Sequence, residues 1–248
     1  CAEHAPRGRF LRVLHVGKYF APFKGGVETY LLDALSTLSS RGTDCAALVH
    51  EHERYWRGTR EIYSTRGGPV RLERSGNWFR FYFTPISPGF RGALKRSLRD
   101  FQPDLVHLHL PNPSACWILS IPEARRIPWV VHWHSDVVTA MQGPVMRLLY
   151  AFYRPLEQRL LRRAAAIIAT SPSYLETSES LRQYPDKCHV VPLGLDSQRF
   201  TPPAEDRRRD VTPAEPLRVL AVGRLTYYKG FGYLLRALHQ AEPNSQLF

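Results

Sequence analysis

The stretch LRVLHVGKYFAPFKGGVETYLLDAL (Leu11–Leu35) decides the fold, and LRVLAVGRLTYYKGFGYLLRAL (Leu217–Leu238) repeats its pattern near the other end of the chain. Each begins with a short apolar run, passes Val-Gly and a basic residue, and crosses an aromatic loop into a pattern ending in Leu-Leu-x-Ala-Leu. An apolar run followed by a glycine turn and a helical pattern is typical of the strand–turn–helix unit of a parallel sheet. The sequence therefore predicts two domains of βαβ type.

Short apolar runs alternate with helical patterns along the rest of the chain. This alternation predicts an α/β fold, a doubly wound, Rossmann-like parallel sheet with helices on both faces. The predicted strands are Leu11–Val16, Cys45–His50, Leu105–Leu108, Trp129–His132, Ala166–Ala169, His189–Val191 and Leu217–Val222. The predicted helices are Val27–Ser39, Arg91–Phe101, Pro113–Arg125, Pro144–Arg163 and Tyr174–Gln183. Residues 51–88, rich in arginine, glycine and aromatic side chains, show no clear strand pattern.

A linker separates the two predicted domains. Residues 192–216, PLGLDSQRFTPPAEDRRRDVTPAEP, contain five prolines and a dense run of charges, as is typical of an inter-domain connection. We predict an N-terminal domain over residues 1–195, a linker over 196–216, and the first strand and helix of a C-terminal domain over 217–248. Because one strand and one helix cannot bury a core of their own, we expect this second domain to be incomplete within the sequence.

The composition excludes several classes of protein. Hydrophobic residues make up 44% of the chain, enough for a packed core, and no apolar run reaches the ~18 residues that a membrane span needs. The four cysteines show no C-x-x-C pair and no metal-ligand spacing, which favours a cytoplasmic protein with reduced thiols. The net charge of +12 suits nucleic acid, an anionic membrane surface or a phosphorylated substrate. Since no nucleic-acid recognition motif accompanies the basic residues, we expect no nucleic-acid partner.

One basic segment indicates a contact with a membrane. In Arg91–Phe101, Leu94, Leu98 and Phe101 recur at helical spacing, and the basic residues fall mostly on the opposite side. A helix with this pattern can lie on anionic lipid, which would place the protein at the inner face of the cytoplasmic membrane. An ordinary solvated helix face is the alternative.

The first candidate ligand-binding residues are two glycines at the carboxyl end of the first strand, the end at which doubly wound sheets bind ligands. Gly25 and Gly26 open the first predicted helix, where the lack of side chains lets an anion or a sugar approach the N–H groups of the positive helix end. The segment is not a G-x-G-x-x-G motif, which weakens the case for a nicotinamide cofactor. A simple strand-to-helix turn would use the same two glycines.

Four histidines lie within or just after two of the predicted strands, in the segments HLHLPNP and HWHSDVV. Alternation along a strand puts His107 and His109 on one face. By the same rule, His132 and His134 share another face. Histidines inside buried strands are often core residues, but His109 and His134 lie at strand ends, where a functional role is favoured. Four histidines could bind zinc, yet no carboxylate or thiol joins them at metal spacing, and we predict no metal site.

Three further residues are candidate ligand contacts. Asp136 follows His134 in a Ser-Asp turn, where it either contacts a ligand or caps the next helix. In the second repeat, Arg224 follows Val-Gly and Lys229 precedes a glycine. Two cations at a strand-to-helix turn suit a diphosphate, so a ligand held between the two domains would contact both repeats.

Six segments, in this order, resemble the family 4 glycosyltransferases, which are retaining enzymes of the GT-B fold. The segments are APFKGGVETYL, PDLVHLHLPNP, VVHWHSDVV, IIATSPSYLETS, VVPLGLDSQRF and VGRLTYYKGFGYLLRAL. The resemblance covers Leu11–Leu238, and the ordered set is more specific than any one segment. It implies transfer of a sugar, such as mannose or rhamnose, from a nucleotide-sugar donor to a glycan or lipid-linked acceptor. The expected setting is bacterial surface polysaccharide synthesis, for instance of O-antigen or exopolysaccharide.

The resemblance also implies roles for the candidate residues. It places His109 beside the transferred sugar or the acceptor and matches His134 with a second histidine of the cleft, and we expect both to be catalytic. The residues expected around the donor are Gly25, Gly26, Asp136, Arg224 and Lys229, of which the last two neutralise the leaving diphosphate. Members of the family need no D-x-D metal site, so we expect no cofactor besides the nucleotide-sugar co-substrate. The glutamates of the family's E-x7-E motif would lie beyond Phe248.

Two other functions fit parts of the sequence. A non-catalytic module that binds a nucleotide-sugar or an acceptor would not need a complete second domain. A nucleotide-sugar epimerase of the GT-B fold would share the architecture. Product analysis separates an epimerase from a transferase, because only the transferase forms a new glycosidic bond.

Overall fold

The chain divides into two compact units, residues 1–195 and residues 196–248. The computed structural model describes residues 10–53, 55–81, 84–137, 143–194, 218–223, 225, 229–240 and 246–247. Within these residues, no helix combines the length and the apolar character that crossing a membrane requires.

An eight-stranded sheet organises the first unit. Its strands and those of a separate hairpin are, in chain order, β1 (Arg12–Val16), β2 (Asp44–His50), β3 (Thr59–Thr65), β4 (Gly68–Ser75), β5 (Phe79–Phe81), β6 (Thr84–Ile86), β7 (Leu105–Leu110), β8 (Trp129–Trp133), β9 (Ala166–Ala169) and β10 (Cys188–Val190). Strands β5 and β6 form the hairpin, and the others lie in the order β10-β9-β8-β7-β1-β2-β4-β3. All neighbours in the sheet are parallel except β3, which runs antiparallel to β4 at one edge. The predicted α/β fold with a doubly wound parallel sheet is confirmed.

Helices cover both faces of this sheet. They are α1 (Gly26–Ser40), α2 (Phe90–Phe101), α3 (Gly143–Arg163) and α4 (Pro172–Thr177), with short 3-10 helices at Pro113–Ser120, Pro122–Arg126, Leu181–Gln183 and Pro185–Lys187. The helix predicted over Pro113–Arg125 is therefore two 3-10 turns. Pro122 lies at the break between them, because proline has no N–H to continue the hydrogen bonding and starts a new turn instead. The helix predicted over Tyr174–Gln183 is likewise divided.

The direction in which the chain crosses the sheet reverses at β1. From β1 the chain passes through α1 to β2 on one side, whereas β7 lies on the other side of β1 and leads on to β8, β9 and β10. In doubly wound sheets, the loops that follow two such strands diverge at the carboxyl edge. Ligands of doubly wound sheets bind at this kind of switch point.

Apolar side chains fill the part of one face of the sheet that is formed by β1, β2, β7, β8 and β9, which we call the aliphatic face. It packs against α2, α3 and the 3-10 segments, and its strand residues include Leu14, Val16, Leu48, Val106, Leu108, Leu110, Val131 and Trp133. On the opposite face, helix α1 covers a second apolar cluster only over β2 and β4, with Leu31 and Leu35 above Ala47, Val49 and Leu72. The part of that face formed by β1, β7 and β8 is occupied by histidine side chains instead.

Helix α2 buries the apolar residues that suggested a lipid contact. Leu94, Leu98 and Phe101 are no more than 5% exposed and belong to the aliphatic face. The interpretation of Arg91–Phe101 as a helix that lies on lipid is therefore wrong for its apolar side, which faces the core. The basic side is solvated, and Lys95 and Arg96 form ion pairs with glutamates there.

Helix α3 carries an exposed apolar stripe on its first half. Its second half buries Leu160 and Leu161 against the sheet. The members of the stripe, spaced as one side of a helix and between 38% and 73% exposed, are Val145, Leu148, Leu149, Phe152 and Leu156.

The second unit contains a parallel βαβ element. Strands β11 (Arg218–Val219) and β12 (Gln246–Leu247) pair in parallel, and helix α5 (Phe231–Gln240) lies between them in the chain. The sequence predicts one strand and one helix in this region, and the structure adds the second strand. Gly230 adopts a φ of +74° just before α5, a left-handed conformation that glycine reaches without strain.

Candidate functional site

Five histidines form one layer, the histidine face, on the part of the sheet formed by β1, β7 and β8, beside the apolar cluster under α1. They are His15 on β1, His107 and His109 on β7, His132 on β8 and His134 directly after β8. His15 is the register partner of His107, and His109 is that of His132. Partners in neighbouring strands leave the sheet on the same side, so all these rings meet at the switch point.

The prediction that His132 and His134 face a different way from the histidines of β7 is wrong. The ring centroids of His107 and His132 lie 5.6 Å apart and those of His109 and His134 lie 5.4 Å apart, with nearly parallel planes. Alternation tells which residues of one strand share a face. Only the register between strands tells whether two strands present the same face, and the sequence does not show that register.

Two hydrogen bonds join three of the rings into a chain. His15 Nδ1 lies 3.1 Å from His109 Nε2, and His109 Nδ1 lies 3.1 Å from His134 Nε2. A neutral imidazole has one N–H and one lone pair, so His109 donates through one nitrogen and accepts through the other. The chain leads from His15, which is fully buried, to His134, which is partly exposed at the carboxyl edge. Sequence analysis did not select His15.

The five rings are neutral at pH 7. Burial, followed by the charge of His132, lowers the pKa of His15 and of His134 to about 3. Burial also lowers the pKa of His132 to about 4. Burial and the neighbouring rings hold the pKa of His107 and His109 well below 6.5. A protonated ring would lose its hydration and face other rings of the same charge, so the layer presents neutral donors and acceptors.

Tyr30 of α1 covers the outer end of the histidine face. Its ring is edge-on to His132 at 4.6 Å and to His134 at 5.4 Å between centroids. Burial raises the pKa of its phenol, so the hydroxyl keeps its proton. Sequence analysis missed Tyr30, although its place one turn after Gly26 puts it near any ligand that binds at the helix start.

The two glycines before α1 have different surroundings. A side chain at Gly25 would collide with the carboxylate of Glu28, whereas one at Gly26 would meet nothing within 4 Å. Glu28 is 8% exposed and lies at the third helical position, where a capping-box glutamate folds back over the helix start. There is therefore room for a ligand beside Gly26, and an internal negative charge already lies at this helix end. The G-x-x-E spacing carried this signal, and sequence analysis did not use it.

Buried polar contacts hold the loops after β1, β2 and β7 together. The side-chain amide of Asn112 donates to the carbonyl of Gly17 at 2.9 Å. His50 Nδ1 lies 2.7 Å from the carbonyl of Lys18, which can only accept, so Nδ1 carries the proton. His50 Nε2 then accepts from the hydroxyl of Ser114 at 2.9 Å. These bonds fix the walls of the crevice, and nothing in the local sequence pattern indicated them.

Asp136 is engaged within the first unit. Its Oδ1 accepts from the indole N–H of Trp133 and from the hydroxyl of Ser178, each at 2.9 Å. Neither partner is a helix N–H group, so these contacts tie down the end of β8 and do not cap a helix. The predicted contact between Asp136 and the donor stays a prediction.

Lys229 lies at the start of α5 in the second unit and is exposed. A side chain placed at Gly223 would lie within 4 Å of both the Lys229 stem and the Phe231 ring, so Lys229 is beside the turn that follows β11. Arg224 falls outside the described residues. The predicted role of both cations with a diphosphate stays a prediction.

Comparison with known proteins identifies the family. The family model described as Glycosyltransferase Family 4 matches residues 24–199. The chain belongs to this family. The resemblance that the six sequence segments indicated is thus confirmed.

Curated relatives resemble the chain over most of its length. D-rhamnosyltransferase WbpZ of Pseudomonas aeruginosa is 31% identical over 232 residues, which make up 92% of this chain and 56% of that protein. O-antigen chain mannosyltransferase C of Escherichia coli is 29% identical over 242 residues, 93% of this chain and 58% of that protein. The chain therefore spans little more than half the length of these relatives.

Solved structures of similar architecture support the fold. Sucrose-phosphate synthase from Thermosynechococcus elongatus superposes with a TM-score of 0.65 at 20% identity, covering 96% of this chain and 61% of that one. HepE of Anabaena, solved with UDP and glucose, superposes with a TM-score of 0.60 at 19% identity, covering 96% and 60%. These likenesses confirm a Rossmann-like architecture of the GT-B type.

Proposed function

We propose that this protein transfers a sugar from a nucleotide-sugar donor to a glycan or lipid-linked acceptor, with retention, in the synthesis of a bacterial surface polysaccharide. Family membership supports the reaction type. The names of two relatives, a rhamnosyltransferase and an O-antigen mannosyltransferase, support rhamnose or mannose as the sugar and a surface polysaccharide as the product. No cofactor enters this proposal besides the nucleotide-sugar co-substrate.

The observation that carries the proposal is the pair of neutral rings at the carboxyl edge, His109 and His134. Sugars are recognised through hydroxyl groups, which both donate and accept hydrogen bonds. His109 uses both of its nitrogens within the layer, so His134 contacts the sugar through its second nitrogen, the one that does not bond to His109. The ring of His134 is partly exposed, so a substrate can reach it, and His15 fixes His109 from behind. The free space beside Gly26 then accommodates the remainder of the ligand.

The proposed reaction develops negative charge on the departing diphosphate. The acceptor oxygen bonds to the anomeric carbon as the bond from that carbon to the phosphate oxygen breaks, and the leaving phosphate takes the acceptor's proton. Both events occur on one face of the sugar, so the configuration is kept. Lys229, and Arg224 by its place in the sequence, stabilise the leaving charge, and losing one such contact typically costs about 3 kcal/mol.

The decisive experiment measures transfer by the natural-length protein. We would incubate it with GDP- and UDP-linked sugars and a lipid-linked acceptor, and identify products by mass spectrometry. His109→Ala and Lys229→Ala should each lower turnover about a hundredfold or more. His189→Ala is the matched control, because this histidine is exposed on β10, away from the layer. Near-normal turnover in either variant would remove its assigned role, and a rearranged free sugar without a new glycosidic bond would favour an epimerase.

We further propose that the protein binds the inner membrane surface through α3 rather than α2. The exposed stripe on α3 is apolar, and the exposed Arg147, Arg154 and Arg159 on the same helix suit anionic lipid. Phe152→Ser combined with Leu148→Ser should abolish binding to vesicles that contain phosphatidylglycerol at low salt. Ile62→Ser, which removes a comparably exposed apolar residue from β3, should leave it unchanged. Equal binding by both variants would contradict the assignment to α3.

A further inference from the structure

The histidine face contains two groups of three imidazoles with spacings near those of a metal site. One group is His15, His107 and His109, and the other is His109, His132 and His134. In each group, one ring nitrogen per residue lies within 4.8 Å of the others. Two nitrogen ligands at about 2.0–2.1 Å from a tetrahedral zinc ion are about 3.3 Å apart, so small ring movements bring three nitrogens to one ion.

Several nitrogens of this layer are buried without a hydrogen-bond partner among the residues that the structure describes. They include Nε2 of His15, Nε2 of His107 and both ring nitrogens of His132. Leaving a buried polar atom unpaired costs about 1–3 kcal/mol. A neutral ring has one lone pair, so a cation bound by His132 satisfies one of its two unpartnered nitrogens and removes part of this cost.

The outer group is the better site of the two. His109 Nδ1 and His134 Nε2 already lie 3.1 Å apart, close to the separation of two zinc ligands. His132 is fully buried beneath Tyr30 and offers a third nitrogen, and the partly exposed His134 gives an ion a path from the carboxyl edge. The rings of His132 and His134 are nearly parallel, so binding requires rotation about the Cβ–Cγ bond, a torsion with broad minima.

The chemistry of this ligand set selects the kind of ion. Imidazole nitrogen suits Zn²⁺, Cu²⁺ and Ni²⁺, whereas Mg²⁺ and Ca²⁺ require oxygen ligands. Three histidines leave the fourth tetrahedral position open for water or for an oxygen of a bound ligand.

We propose that His109, His132 and His134 bind one transition-metal ion of the Zn²⁺ class. The ion replaces the hydrogen bond between His109 and His134 and holds the ring of His134 in a rotated position, away from the one in which it would contact a sugar. It therefore inhibits the sugar transfer, and this second half of the proposal rests on the proposed function. The binding site itself does not depend on it.

Calorimetric titration tests the binding. The natural-length protein, free of any histidine tag and stripped with EDTA, is titrated with ZnCl₂ and, for comparison, with MgCl₂. We expect one Zn²⁺ site and no Mg²⁺ binding. His132→Leu removes a proposed ligand and should weaken Zn²⁺ binding by more than the roughly tenfold that loss of a group behind a ligand can cost. His189→Ala should leave Zn²⁺ binding unchanged. Absorption of the Co²⁺ form in the visible range should disappear in His132→Leu.

Each outcome bears on the proposal. Absence of Zn²⁺ binding at 100-fold excess, or unchanged affinity in His132→Leu, overturns the site. Inhibition of transfer by Zn²⁺ with recovery on adding EDTA supports the second half, and binding without inhibition overturns that half alone. If the protein shows no transfer with any donor, the proposed function and the inhibition fail together, while calorimetry and the Co²⁺ spectrum still report on the site.

Discussion

The two faces of the same strands have opposite chemistry. Strand β7, LVHLHL, sends Val106, Leu108 and Leu110 to the aliphatic face and His107 and His109 to the histidine face. On the first face, predominantly apolar side chains bury their surface, which contributes most of the stability of a fold. On the second, rings with unpaired nitrogens are buried at a cost to stability.

The contrast shows how one strand supports both stability and a site. Because side chains alternate strictly, the residues that hold the sheet together and those that line the crevice are covalent neighbours, and a slip of one residue would exchange the two faces. The apolar contacts of the first face thus set the positions of the histidines on the second.

The aliphatic face should dominate stability. Leu108→Ala removes a fully buried side chain from β7, and we expect the free energy of unfolding to fall by about 2–5 kcal/mol. Denaturation in urea measures the change. Leu148→Ala, at a side chain 61% exposed on α3, is the control and should change stability by less than about 0.5 kcal/mol. Similar losses in the two variants would contradict the assignment of the core.

His50 interrupts the aliphatic face and should make the fold sensitive to acid. It stacks on Phe90, and burial lowers its pKa from 6.5 to about 4 against the smaller opposing effect of the Lys18 carbonyl. The unfolded chain therefore binds a proton between these values that the folded chain does not. With respect to His50, the free energy of unfolding is highest above pH 6.5 and falls by about 3 kcal/mol as the pH drops to 4.

A comparison of variants isolates this contribution from that of the other histidines. His50→Asn keeps a donor for the Lys18 carbonyl but cannot titrate in this range. Between pH 6.5 and pH 4, the unfolding free energy of the variant should fall by about 3 kcal/mol less than that of the wild type. His189→Asn, at an exposed position, should behave like the wild type. Parallel pH profiles for wild type and His50→Asn would refute a buried neutral ring.

Glu157 is the second interruption and should act in the opposite direction. It is fully buried on α3, where its Oε1 accepts hydrogen bonds from Tyr150 and Ser180. Burial raises its pKa from 4.5 to about 6, so the folded chain binds the extra proton. Stability should fall by about 2 kcal/mol as the pH rises from 4.5 through 6. Glu157→Gln should remove this fall, and a wild-type slope that persists in the variant would contradict it.

Local patterns in the sequence predicted most of the strands and helices that bury at least one apolar side, but they did not predict exposed edge strands. The alternation of HLHL located β7 and its two-sided character. Strand β3, Thr59–Thr65, was not predicted because it is an edge strand whose residues are all exposed or half-exposed, so its sequence lacks an apolar repeat. Its partner β4 buries Val70 and Leu72, but the next buried position of the same alternation is the charged Arg74, which obscured the pattern.

The site was predictable only as far as its signals were local. His109 and His134 stood out because they end strands, and Gly25 because it opens a helix. His15 and His109 are 94 residues apart, and Asn112 and Gly17 are 95 residues apart, so only the folded sheet brings them together. A polar residue in an apolar run forms the same local sequence pattern whether or not a distant residue bonds to it. The sequence pattern therefore could not predict these contacts.

The smallest predicted effect sharpens the comparison within the histidine face itself. His132 is fully buried with both ring nitrogens unpaired among the described residues, whereas His109 makes two hydrogen bonds. Removing the unpaired ring in His132→Leu should add about 1–3 kcal/mol to the free energy of unfolding. The change of side-chain shape should subtract up to about 1.5 kcal/mol. We therefore expect a net increase of about 1 kcal/mol, measured in the presence of EDTA. His109→Leu, the matched change at a bonded ring, should lower it. A loss in both variants would mean that the layer is a structural core, whereas a gain in His132→Leu would mean that His132 is kept at the expense of stability, as is common at functional sites.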